Sequence, residues 1–178
     1  MNKTITKRMV FCLVVMLGVC CSGVFSQSNL PKPTPIPPPG DIQLPGGYIY
    51  ERRRGIDSYV GVIVRKDGFT ISHDIGKMAA NYAAQYFPEY FDRLRKRTHL
   101  NSGTNEREIQ DLKDKTDWTQ RSKVNGDDLM LVRLKDSTLI ATFVGSTANF
   151  IAKADSSDKI ADFLLIVLTY QPSADKRH

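Results

Sequence analysis

Two runs with β-branched residues in alternation flank a Lys66-Asp67-Gly68 turn, and this feature constrains the fold more than any other. In Ser58–Arg65, Val60, Val62 and Val64 share one face; in the return run Phe69, Ile71, His73 and Ile75 are in phase. Asp-Gly between such runs is a strong hairpin signal, because both residues tolerate positive φ. A second pair repeats the arrangement. Leu129–Leu134 and Thr138–Val144 are joined by Lys135-Asp136-Ser137. Both faces of these later strands carry large apolar residues, which suits a central position covered on both sides. Tyr48–Tyr50 and Ala148–Ala154 are further strand candidates.

Between the two hairpins the pattern changes to helical. Met78, Ala79, Ala80, Ala83 and Ala84 predict a helix over 77–86. Pro88 interrupts it and suits the first turn of a second helix, 88–98, in which Phe87, Phe91 and Leu94 form an apolar stripe. Thr104 offers an N-cap for a third helix running to about Trp118. Ser156-Ser157-Asp158 can cap a short helix. Periodicity does not decide strand from helix in Phe163–Tyr170; Ile166, Val167 and Thr169 favour a short helix feeding a buried strand. The expected architecture is α+β: a mainly antiparallel sheet of five or six strands with a helical insertion packed on it.

The first 45 residues are of another kind. Lys3, Lys7 and Arg8 precede an 11-residue apolar run, Met9–Val19, well short of the roughly 20 residues that span a bilayer. Residues 1–26 therefore read as an export signal, with Val24-Phe25-Ser26 as the cut. Leu17-Gly18-Val19-Cys20 resembles a bacterial lipoprotein cleavage site but departs from it at Val19, so lipidation of Cys20 stays open beside simple cleavage. Residues 27–45 hold seven of the nine prolines and read as an extended linker or tether. The folded domain is expected over 46–178. The predicted location is secreted or periplasmic, with a membrane link only through a lipid anchor at Cys20.

Removing the signal removes Cys12, Cys20 and Cys21, the only cysteines. A disulfide, a cysteine nucleophile and a cysteine-ligated zinc site are thereby excluded from the mature domain. It also takes three basic residues and no acidic ones, so the net charge falls from +6 to +3. That balance does not support a nucleic-acid partner.

Few residues suggest chemistry. No phosphate-cradling loop, dinucleotide fingerprint or Gly-x-Ser-x-Gly elbow occurs, and no cofactor is implied. His73 beside Asp74 looks catalytic, but adjacent strand residues point to opposite faces, and the phase of His73 matches Phe69 and Ile71. Asp127-Asp128 lacks the ligand series of a calcium loop and reads as a polar turn. Two basic clusters remain: Arg52-Arg53-Arg54, and Arg93, Arg95, Lys96 and Arg97. The second follows Tyr82, Tyr86 and Tyr90. With Tyr90 as a stacking neighbour, Arg93, Arg95, Lys96 and Arg97 are the candidate contacts for an acidic glycan, peptide or lipid head group. The chain reads as a non-catalytic binding or cell-envelope-associated domain. The alternative is a small exported hydrolase using His73 with a carboxylate.

Overall fold

A computed structural model describes residues 33–36, 40–76, 79–97 and 102–172. The predicted signal, residues 1–26, lies outside them, as does the lipidation candidate Cys20. Strands β1 (Pro33–Ile36) and β2 (Gly40–Gln43) open the described chain. There follow β3 (Tyr48–Arg53), β4 (Tyr59–Arg65) and β5 (Thr70–Ile75). Helices α1 (Pro88–Arg97) and α2 (Ser102–Lys115) come next. Then β6 (Thr116–Val124), β7 (Asp127–Leu134), β8 (Thr138–Phe143) and β9 (Ala148–Lys153) run in succession. Helix α3 (Ser157–Leu168) and the two-residue β10 (Gln171–Pro172) close it.

The expected α+β architecture holds, with seven strands in the main sheet rather than five or six. Their order is β3-β4-β5-β9-β8-β7-β6. It consists of two antiparallel meanders, β3–β5 and β6–β9, joined where β5 pairs with β9. Of the Asp67-Gly68 pair only Gly68 takes positive φ, whereas both residues of Asn125-Gly126 do. At the β4–β5 hairpin Gly68 takes φ 90°, and at the β6–β7 hairpin Asn125 and Gly126 take 51° and 83°. Positive φ at two consecutive turn residues twists a hairpin in the same sense as its strands.

One face of the sheet is closed by α3. Phe163, Ile166, Val167 and Tyr170, spaced as i, i+3, i+4 and i+7, are buried against Ile63, Ile71, Phe143 and Phe150. Tyr170 sits 5.0 Å from Phe143 and 5.4 Å from Phe150 by ring centroid. The region 163–170 is thus helical to Leu168, and the expected buried strand does not form within it; β10 follows only at Gln171 and is not buried. Burial of this stripe outweighs the β-branched preference of Ile166 and Val167. Arg65 fastens the start of α3, meeting Asp158 at 3.0 Å and Asp162 at 2.7 Å.

The opposite face is covered by residues 79–87. Ala83 and Phe87 bury Met130, Val132 and Ile140 there. The helix predicted over 77–86 does not form in the described part: only Ala84–Tyr86 makes a single 3-10 turn. Its backbone finds other partners. Asn149 Nδ2 donates to the Ala80 carbonyl (2.8 Å), and Ala83 N donates to Thr142 Oγ1 (3.1 Å). Side chains of the sheet thus take over hydrogen bonds that a helix would make internally. α1 begins at Pro88, as expected, and packs on α2 through Phe91, Leu94 and Ile109. α2 ends at Lys115 rather than near Trp118, and the chain passes directly into the edge strand β6.

The linker expected over 27–45 is structured where it is described. β1 and β2 form a hairpin, and β2 also pairs with β10. Ile42 is fully buried in the same core as α3, and Gln43 N donates to Thr169 Oγ1 at 3.0 Å. Proline occupies two of the four β1 positions, which an edge strand tolerates better than a central one.

Candidate binding groove

His73 lies in the α3-side core. It is 2% exposed, stacks on Tyr50 at 5.5 Å between ring centroids and lies 6.2 Å from Phe150. Gly61 faces it across the strand pair, where a Cβ would come within 2.5 Å of His73 Nε2. Only a residue without a side chain leaves room for the ring. Burial pushes the His73 pKa down to about 4, against weaker opposition from the Tyr59 backbone and the Asp74 charge. Asp74 points to the other face, where its Oδ2 accepts from Tyr82 Oη at 2.7 Å. The two side chains do not form a dyad. Among the described residues no group of three His, Cys, Asp or Glu could hold a metal ion.

On the insertion side, Asp74, Asn149 and Thr142 fall on one row of paired residues across β5, β9 and β8. Thr142 Oγ1 donates to Asn149 Oδ1 at 2.7 Å, and Tyr82 N donates to the same oxygen at 3.3 Å. Both Thr142 and Asn149 are 1% exposed. Sequence reasoning passed over them, although a signal was present. Thr142 is in phase with buried Ile140, and Asn149 with Ile151, so each is a polar residue at an apolar position.

Beside this network a groove of about 320 Å³ opens between the start of α1 and the ends of β6 and β7. Asn81, Glu89, Tyr90, Arg93, Arg121 and Met130 are among its lining residues. Tyr90 and Arg93, one turn apart on α1, share it. The Arg93 guanidinium lies 5.7 Å from the Tyr90 ring centroid, a cation–π distance, and meets no carboxylate among the described residues. Arg121 is engaged: it meets Glu89 at 2.6 Å and lies 4.9 Å from the Phe87 ring.

The candidate cluster is therefore divided. Tyr90 and Arg93 face the groove. Arg95 turns toward α2, meeting Glu106 at 2.8 Å and Asp92 at 3.5 Å, and the Glu106 carboxyl is held below its usual range by Arg95. Lys96 is exposed and does not line the groove. Arg97 ends α1, and its side chain lies outside the described residues. Arg121 and Asn81 join the site from positions that spacing along α1 could not reveal. No family model matches the chain, and no curated protein or solved structure matches it.

Proposed function

We propose that the domain is an exported, non-catalytic binding or envelope-associated module. Its groove holds an acidic group of a glycan, peptide or lipid head group at Arg93, above Tyr90. The observation that carries this reading is the Arg93 guanidinium, stacked on an aromatic ring at the mouth of a groove with no carboxylate partner among the described residues. Arg121 lies beside it but is already neutralised by Glu89. The hydrolase reading draws no support from His73, which is enclosed by Tyr50, Phe150 and Gly61 and parted from Asp74 by the plane of the sheet.

Arrays of acidic glycans, anionic peptides and anionic lipids test the proposal. A binder is expected. Arg93→Glu should weaken it by about tenfold or more, with the larger loss at low salt, while the melting temperature stays unchanged. Tyr90→Ala, which removes the ring under Arg93 but keeps the charge, should also weaken it, by less than Arg93→Glu. A binder whose affinity and salt dependence survive both substitutions would remove the groove from consideration. Turnover of an ester, peptide or glycoside that disappears in His73→Gln would restore the hydrolase reading.

A further inference from the structure

Among the described residues, Arg65, Arg95, Arg121 and Arg133 each meet a carboxylate within 3.5 Å. Arg52, Arg53 and Arg54 are exposed and meet none. They lie at and just beyond the end of β3, an edge of the main sheet with no further strand beside it among the described residues. Arg52 pairs with Gly61 and Arg53 with Val60, so the first two side chains leave opposite faces of the strand. Arg54 continues into the connection to β4.

That connection is tightly built. A Cβ on Gly55 would come within 2.1 Å of the Ser58 carbonyl oxygen, so the loop folds back on itself at a residue that must lack a side chain. The fold turns Ile56 outward. It is fully exposed, at 104%, the most exposed large apolar side chain described. The three arginines, Ile56 and Asp57 surround a concave space of about 550 Å³. Glu51 and Asp57 make no ion pair with the arginines, and residues 51–59 keep a net charge of +1.

We propose that this hairpin tip docks on an anionic lipid bilayer. Its arginines would sit at the level of the head-group phosphates, and Ile56 would enter the boundary of the acyl chains. A soluble anion would engage the guanidinium groups but would leave Ile56 in water. A bilayer surface engages both, because it sets a layer of negative charge directly above an apolar phase. The small net charge makes this a weak, salt-sensitive contact that assists localisation rather than securing it. It lies at the opposite sheet edge from the Arg93 groove and does not depend on the function proposed for that groove. Arg53 and Arg121 end the same row of paired residues across the sheet. Six strand spacings place these edges about 29 Å apart.

The test uses the processed protein recovered from its host. Its partition onto phosphatidylcholine vesicles is compared with that onto vesicles also containing phosphatidylglycerol. A lipid anchor, if present, acts on both, so the informative quantity is the ratio of the two. The ratio is expected to be about tenfold or more at low salt and to fall toward one as salt rises. Changing Arg52, Arg53 and Arg54 together to Glu should bring it close to one. Ile56→Ser should lower binding to the anionic vesicles several-fold while leaving the salt dependence. If the triple variant does not fold, Arg53→Gln and Ile56→Ser, both at exposed positions, carry the test. Equal partition of the unmodified protein would overturn the proposal, as would a ratio that survives these changes. Full competition by soluble glycerol phosphate, with Ile56→Ser silent, would also overturn it and assign the tip to a soluble anion.

Discussion

Two neighbouring rows of residues cross the middle of the main sheet and are covered in different ways. On the α3 side the row runs Gly61, His73, Phe150, Ala141, Leu131. One residue along each strand, on the insertion side, it runs Asp74, Asn149, Thr142, Met130. The first row lies under a helix whose backbone is already hydrogen-bonded, so apolar area and ring contacts suffice to close it. The second lies under an irregular segment whose amides and carbonyls need partners. Asn149 and Thr142 supply them. The cover therefore dictates the chemistry of the strand beneath it: an irregular cover demands polar side chains from the sheet.

Substitutions along the two rows should separate these modes of closure. Phe150→Ala empties the centre of the α3-side core and should cost about 3–5 kcal/mol in urea unfolding. A cost below about 1 kcal/mol would mean that α3 does not rest on this row.

The next effect is one of pH. His73 is neutral in the native state down to about pH 4, while the unfolded chain takes up its proton near 6.5. Between those values the unfolded state binds more protons. Stability is therefore unaffected by this group above pH 6.5 and is lost as pH falls toward 4, by about 3 kcal/mol in all. His73→Phe should flatten this slope; an unchanged slope would place the acid sensitivity elsewhere.

The third effect is smaller and local. Asn149→Ala leaves the Ala80 carbonyl and Tyr82 amide short of a partner and should cost about 1–3 kcal/mol. Hydrogen exchange should quicken at Tyr82 and Ala83 while α3 keeps its protection. Uniform loosening of both faces would show that the network stabilises the whole sheet rather than the segment above it.

The legibility of these regions in the sequence follows the same division. The β4–β5 and β7–β8 hairpins announce themselves because alternation and turn chemistry agree. The phase of His73 with Phe69 and Ile71 correctly places it in a core. β6 is hidden because its middle faces solvent at the sheet edge: Gln120, Arg121, Ser122 and Lys123 are all exposed, and Trp118 and Val124, which pack on the core, lie too far apart to show an alternating pattern. The segment 79–87 misleads because its alanines favour helix locally, whereas its partners, Asn149 and Thr142, are distant in sequence. β2 is masked by its prolines' company, and the burial of Ile42 depends on α3 and β10 at the far end of the domain. At the groove, Tyr90 and Arg93 could be read from helical spacing. Arg121 could not, because strand pairing brings it there.

Every ladder of the main sheet joins consecutive strands except one. β5 and β9 meet across a separation of 75 residues between Asp74 and Asn149. The meanders on either side can form from local contacts in microseconds, but their union requires closing a long loop. The entropy of that closure grows only slowly with length, yet it must be met before the pairing returns anything. Within the main sheet, this seam is therefore expected to form after the two meanders it joins. Until it closes, each half presents an open, apolar strand edge at what becomes the centre of the sheet. A chain delayed at that stage is most exposed to pairing with another copy of itself.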